Sequence, residues 1–176
     1  MPAPEFLVEL RRHVGHDKLW LPGVVAIVVR DVPADAPAWQ TPEVLLVRNA
    51  DSGAWTPVTG IVEPDEQPHD AAEREIREET TVEARAAALL GVGASGTVTY
   101  PNGDVASFVE SAYRLEVVGN DEPAAGDDET LDRGWFQVAQ LPAMDPRFRL
   151  LCADAVAQLR RPDTFRPRMG WAKRRR

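Results

Sequence analysis

Thr59–Val82 reads TGIVEPDEQPHDAAEREIREETTV, and the rest of the chain can be read outward from it. From Asp70 onward the stretch is made of helix formers, and Glu75, Glu78 and Glu79 stand at i, i+3 and i+4. At about 100° per residue that spacing puts three carboxylates on one helix face, with Cβ atoms roughly 5–6 Å apart. No basic residue is read among them on that face. Like charges held so close destabilise an isolated helix, and a cation removes the cost. The pattern therefore points to a hard divalent metal such as Mg²⁺, which takes oxygen ligands and keeps waters and phosphate oxygens in its shell. Mn²⁺ suits the same donors.

The flanking residues extend the pattern. Gly60 stands where backbone freedom is wanted, and Glu63-Pro64-Asp65-Glu66 reads as a turn in which Pro64 presets φ. Asp70 is read as the helix N-cap, with Glu73 completing a capping box. Ala72 and Ile76 form an apolar stripe roughly 90° around from the carboxylates. Together these residues resemble the signature of the Nudix (MutT-type) hydrolase family: Gly, five residues, Glu, seven residues, then Arg-Glu-apolar-any-Glu-Glu-any-Gly-apolar. Gly60, Glu66, Arg74, Glu75, Ile76, Glu78, Glu79 and Val82 match in order, while Thr81 replaces the last Gly. That replacement bears on the turn ending the helix and leaves the carboxylate face intact. The fold implied by the resemblance is a Nudix-type α/β/α sandwich, a mixed β-sheet between helices with the box as strand-loop-helix.

A chain of 176 residues suits one domain with a sizeable core. Its 44% apolar and 27% charged residues are those of a soluble globular protein. No segment approaches the ~18 apolar residues of a membrane span. The first turns carry Glu5, Glu9, Arg11 and Arg12 where a signal peptide would be apolar, so a cytoplasmic protein is expected. A single cysteine, Cys152, excludes an internal disulfide and is read as a packing residue. Residues 160–176 carry eight Lys or Arg against one Asp, so the net charge of −8 hides a body at −15. Such a body disfavours nucleic acid, whose backbone is bound by clustered Lys and Arg. The domain is placed at 1–161, followed by a basic, flexible tail over 162–176 that has little to bury.

Phe6, Leu7, Leu10 and Val14 predict a short amphipathic helix over 4–14, stopped at Gly15, with His13 and His16 as surface or capping residues. GVVAIVVR (23–30) and EVLLVR (43–48) predict strands, separated by a loop with three prolines. Residues 86–99 and 107–118 predict two more strands around Tyr100-Pro101-Asn102-Gly103-Asp104, a hairpin signal. Residues 121–132 read as an acidic loop before a Trp135-Phe136 strand, and 146–160 as a closing helix.

Glu75, Glu78 and Glu79 are assigned as metal ligands and catalytic residues, with one of them, or an acidic loop residue, accepting a water proton. The resemblance adds the Gly60 carbonyl as a ligand. Arg74 and Glu66 are expected to form an ion pair that orients the helix. Trp55 is read first as a core aromatic at a strand end and Tyr100 as part of its tight turn, and both are also candidates for substrate contact; Asp127, Asp128, Glu129 and Asp132 are read either as a solvated acidic loop or as a further ligand or the base. The activity implied is that of an Mg²⁺-dependent hydrolase cleaving the pyrophosphate of a nucleoside diphosphate linked to another moiety, ADP-ribose or a nucleotide sugar. Within the family the alternatives are a nucleoside triphosphate, a dinucleoside polyphosphate, or a non-catalytic nucleotide-binding regulator. The expected partner is a small nucleotide, with no membrane; a homodimer is compatible with the sequence.

Overall fold

A computed structural model describes residues 4–33, 35–37, 39–50, 52–125 and 130–171. In chain order the elements are α1 (Glu5–Val14), β1 (Leu19–Arg30), β2 (Glu43–Asn49), β3 (Trp55–Thr56), β4 (Val58–Ile61), α2 (Pro68–Thr80), β5 (Ala84–Ala94), β6 (Val98–Thr99), β7 (Val105–Val117), β8 (Thr130–Gln137), α3 (Pro146–Arg160) and β9 (Arg168–Met169). The strands form one mixed sheet in the order β3-β2-β1-β7-β5-β9, with β4 also on β1, β6 on β7 and β8 on β2. β1 and β7 run parallel over Leu19–Val29, as do β5 and β9, while the other pairs are antiparallel.

The β-branched run in β1 explains the layering. Alternate residues of a strand face opposite sides, so Val24, Ala26 and Val28 meet Ala71, Ala72 and Ile76 of α2. Val25, Ile27 and Val29 face the other way, onto Phe148, Leu151, Cys152 and Ala155 of α3. A smaller cluster, Leu7 with Leu21 and Ala106, seats α1 near one end of the sheet. This is the α/β/α sandwich with a mixed sheet that the signature implied. No described helix is long and apolar enough to cross a membrane.

Three local expectations are corrected. Helix α2 starts two residues before Asp70, with Pro68 in its first turn, and its N-cap Gln67 makes no side-chain cap. Glu73 reaches instead to the β5 backbone, accepting from the Ala86 amide at 2.8 Å. The acidic loop ends earlier than residue 132, because Thr130–Asp132 already pair with Arg48 and Asn49 of β2. Third, residues 162–171 do not form a free tail. They return to the sheet, where β9 pairs with Gly91 and Val92, and Phe165 and Trp171 pack against the α3-side core. Arg168 donates twice to Asp154 at 2.8 Å, which fastens the strap to α3. The aromatic residues, invisible to a reading centred on the arginines, supply the apolar area that holds it.

Thr81 ends α2 at φ 60°, the left-handed conformation the replaced Gly would adopt freely. Its amide bonds to the Arg77 carbonyl at 3.0 Å, and Asn120 Nδ2 donates to its carbonyl at 3.1 Å. The turn is kept despite the side chain, at a cost of roughly 1–2 kcal/mol. Thr81→Gly should therefore raise the melting temperature by about 2–4 °C after its own entropy cost. A fall would show that the threonine packing outweighs the strain. Ending the chain at Arg161 should lower the melting temperature by about 6–12 °C, as ~3 kcal/mol does in a domain of this size. An unchanged transition would restore the free-tail reading.

Candidate active site

Strand β4 pairs antiparallel with β1, Gly60 opposite Val24, and delivers the chain into the turn that precedes α2. Gly60 lies so close to the helix that a Cβ on it would fall 2.1 Å from the Glu75 carboxyl carbon. Only a residue without a side chain lets the Glu75 carboxylate reach the backbone there. Glu75 is 8% exposed. Burial pushes its carboxyl up to about 7, against the pull of Arg74 and with added repulsion from Glu78 and Glu66.

Arg74 organises the acids around it. Its Nε and Nη2 grip the two Glu66 oxygens at 2.8 and 3.0 Å, and Nη2 also donates to the Ile61 carbonyl at 3.1 Å. Its Nη1 donates to Glu75 at 2.9 Å and to Glu78 at 3.0 Å. Hydrogen bonding from Arg74 holds the Glu66 carboxyl below its ordinary range, and the bonds to Glu66 raise Arg74 in turn. The expectation of a carboxylate face free of basic residues is thereby corrected. Arg74 lies four residues before Glu78 and bends along the helix surface to reach it. Among the described residues no three acidic, histidine or cysteine side chains are grouped as a ready metal cage.

Glu75 and Glu79 line a cleft of about 540 Å³, together with Gly60, whereas Glu78 does not. That volume lies within the range of small-molecule sites. Glu79 accepts from Thr130 Oγ1 at 3.1 Å, and its carbonyl accepts from Arg133 at 2.6 Å. Tyr100 lines the same cleft from the 100–104 hairpin, in which the Gly103 amide bonds to the Tyr100 carbonyl at 2.9 Å. Trp55 lies elsewhere. Half-buried, it packs edge-on against Phe136 at 4.7 Å beside the α3-side core, in line with the packing expected of an aromatic at a strand end. Asp127, Asp128 and Glu129 fall outside the described residues, and Asp132 is exposed on β8. Two cleft residues were missed from the sequence, Glu110 and Arg147. The signal available for Glu110 was an acid inside a central strand; Arg147 gave none, being brought near only by the tertiary fold.

The residues fit a hard divalent cation. The Gly60 backbone and the Glu75 and Glu79 carboxylates bring oxygen donors to one cleft, and the guanidinium that Glu75 meets, Arg74, is shared with Glu66 and Glu78. The pH dependence follows from the Glu75 shift. Its folded value, about 7, lies above the unfolded carboxylate range, so the folded state holds the proton more tightly. The stability it confers is full below the unfolded value and is lost as pH rises through about 7. In chelator, Glu75→Gln should thus gain on the wild type in melting temperature between pH 5 and pH 8. A constant difference across that range would contradict the assignment.

The NUDIX domain model matches residues 22–154. No curated protein matches the sequence significantly. Among solved structures, a MutT NUDIX hydrolase from Burkholderia pseudomallei is 25% identical, with a TM-score of 0.60 over 77% of this chain and 98% of that one. A UDP-X diphosphatase is 18% identical, with a TM-score of 0.61 over 94% of this chain and 74% of the other. An ADP-ribose pyrophosphatase from Streptococcus suis 89-1591 is 16% identical, with a TM-score of 0.55 over 85% and 97%. With the NUDIX model match spanning most of its sequence, the chain belongs to the Nudix family.

Proposed function

We propose that the protein is an Mg²⁺-dependent hydrolase that cleaves the pyrophosphate of a nucleoside diphosphate linked to another moiety, of the ADP-ribose or nucleotide-sugar type. The observation that carries this reading is the closeness of Gly60 to the buried Glu75 carboxylate at the wall of a cleft that Glu79 also lines. The Gly60 carbonyl with Glu75, Glu78 and Glu79 would hold the cation, Glu78 joining from its place beside Arg74. When bound, a divalent cation neutralises phosphate oxygens and makes a bound water easier to deprotonate. Arg74 and Glu66 keep the helix seated, and thereby keep the carboxylates aimed. The acceptor of the water's proton would be Glu79, or one of Asp127, Asp128 and Glu129, which lie outside the described residues. Tyr100 offers an aromatic face on which a nucleobase can stack. The cleft volume admits a two-part nucleotide, and the substrate class agrees with the activities for which the UDP-X and ADP-ribose structural neighbours are named.

The test is a panel of ADP-ribose, nucleotide sugars, nucleoside triphosphates and dinucleoside polyphosphates, with and without Mg²⁺. Release of a nucleoside monophosphate from the first two, abolished by chelator, is the expected result. Turnover confined to triphosphates, with pyrophosphate released, would replace the substrate class. Glu78→Gln should lower kcat by about 100-fold or more with an unchanged melting temperature. Wild-type turnover in that folded variant would remove Glu78 from the ligand set.

A further inference from the structure

Glu110 is a buried carboxylate in the middle of the sheet, 5% exposed, on a strand with neighbours on both sides. Its cross-strand partners are both glycines, Gly23 on β1 and Gly93 on β5. Each glycine leaves room for something specific. A Cβ on Gly23 would stand 3.4 Å from the Gly60 carbonyl oxygen and 3.5 Å from Glu110 Cγ, so Glu110 neighbours the candidate metal-ligating carbonyl with only a glycine between. A Cβ on Gly93 would fall 2.5 Å from the Trp171 ring, so the strap's indole occupies the space that a side chain there would fill.

The polar contacts converge on one oxygen. Trp171 Nε1 donates to Glu110 Oε2 at 3.0 Å, and Arg147 Nη1 donates to the same atom. The Arg147 guanidinium also lies over the Phe148 ring at 4.3 Å. Among the described residues none accepts from Arg147 Nε or Nη2, and the side chain lines the cleft. A buried ion pair contributes less to stability than apolar residues of the same size would. What it does provide is a guanidinium fixed in direction, with donors to spare and a geometry suited to phosphate oxygens.

We propose that Arg147 binds a phosphate of the substrate's diphosphate, and that Glu110 and Trp171 are positioning residues that aim it, making the C-terminal strap part of the substrate site. This rests on the hydrolase reading above. It assigns a role to residues 155–171, which lie beyond the matched domain, and it gives the cleft a cationic contact beside its acidic one.

The test uses the full chain and a non-hydrolysable probe, α,β-methylene-ADP-ribose, titrated calorimetrically with Mg²⁺ present. Arg147→Gln should weaken binding about tenfold or more, and Arg147→Lys should recover part of the loss by keeping the charge. Trp171→Phe keeps a ring on Gly93 and removes only the N–H donor. It should raise KM for ADP-ribose several-fold with kcat nearly unchanged. If Arg147→Gln binds the probe as tightly as the wild type, or if Trp171→Phe leaves KM unchanged, the inference is overturned while the hydrolase reading stands. A wild type that neither binds the probe nor turns over any diphosphate-linked nucleotide overturns both.

Discussion

The grip of Arg74 on Glu66, Glu75 and Glu78 is the interaction on which the rest of the site depends. Three carboxylates so close would repel, and one of them is buried, so each needs a cation to stay in place. A guanidinium can serve all three and still donate to the Ile61 carbonyl, because its planar fork carries five N–H donors. A lysine could not. The bonds tie the helix to the turn before it and to the end of β4. Removing the arginine would leave a buried carboxylate uncompensated, the costly half of a broken pair. The closeness of Gly60 to Glu75 therefore depends on the clamp as much as on the missing side chain.

The sheet turns that local clamp into a site. Alternation along β1 gives one row of valines to α2 and the other to α3, so both helices are fixed by the same strand. Gly23, on that strand, keeps the cleft floor open between Gly60 and Glu110. The end of α3 and the strap beyond it close the far edge of the sheet through β9. Acidic groups from α2, in the middle of the sequence, and Arg147 at the start of α3 thus reach one cleft.

The features legible in the sequence were local ones. The helix carrying Glu75, Glu78 and Glu79 and the strand runs over 23–30 and 43–48 come from spacing and residue type over a few turns. The hairpin at Asn102-Gly103 does as well. The lapses arise where a side chain chooses among distant partners. Arg74 pairs with Glu66 as expected; its further bonds to Glu75 and to Glu78, four residues on, are the part not read, although that spacing is open to inspection. Glu73 suits a capping box by position, but a strand amide thirteen residues on competes for it and wins. Trp55 is the contrary case: a large aromatic at a strand end already suggests packing, and Phe136 of β8 supplies the contact. The strap was misread because its arginines dominate the composition, while Phe165 and Trp171 do the packing.

Whether the Gly60 and Glu75 wall holds a cation can be seen in crystals grown with Mn²⁺ and measured for anomalous scattering. One or more peaks are expected within ligand distance, roughly 2.0–2.2 Å, of the Gly60 carbonyl and the Glu75 and Glu79 carboxylates, with Glu66 still held by Arg74. No peak at saturating Mn²⁺, or peaks only at surface acids while Glu75 stays bonded to Arg74, would contradict the metal site and the hydrolase built on it.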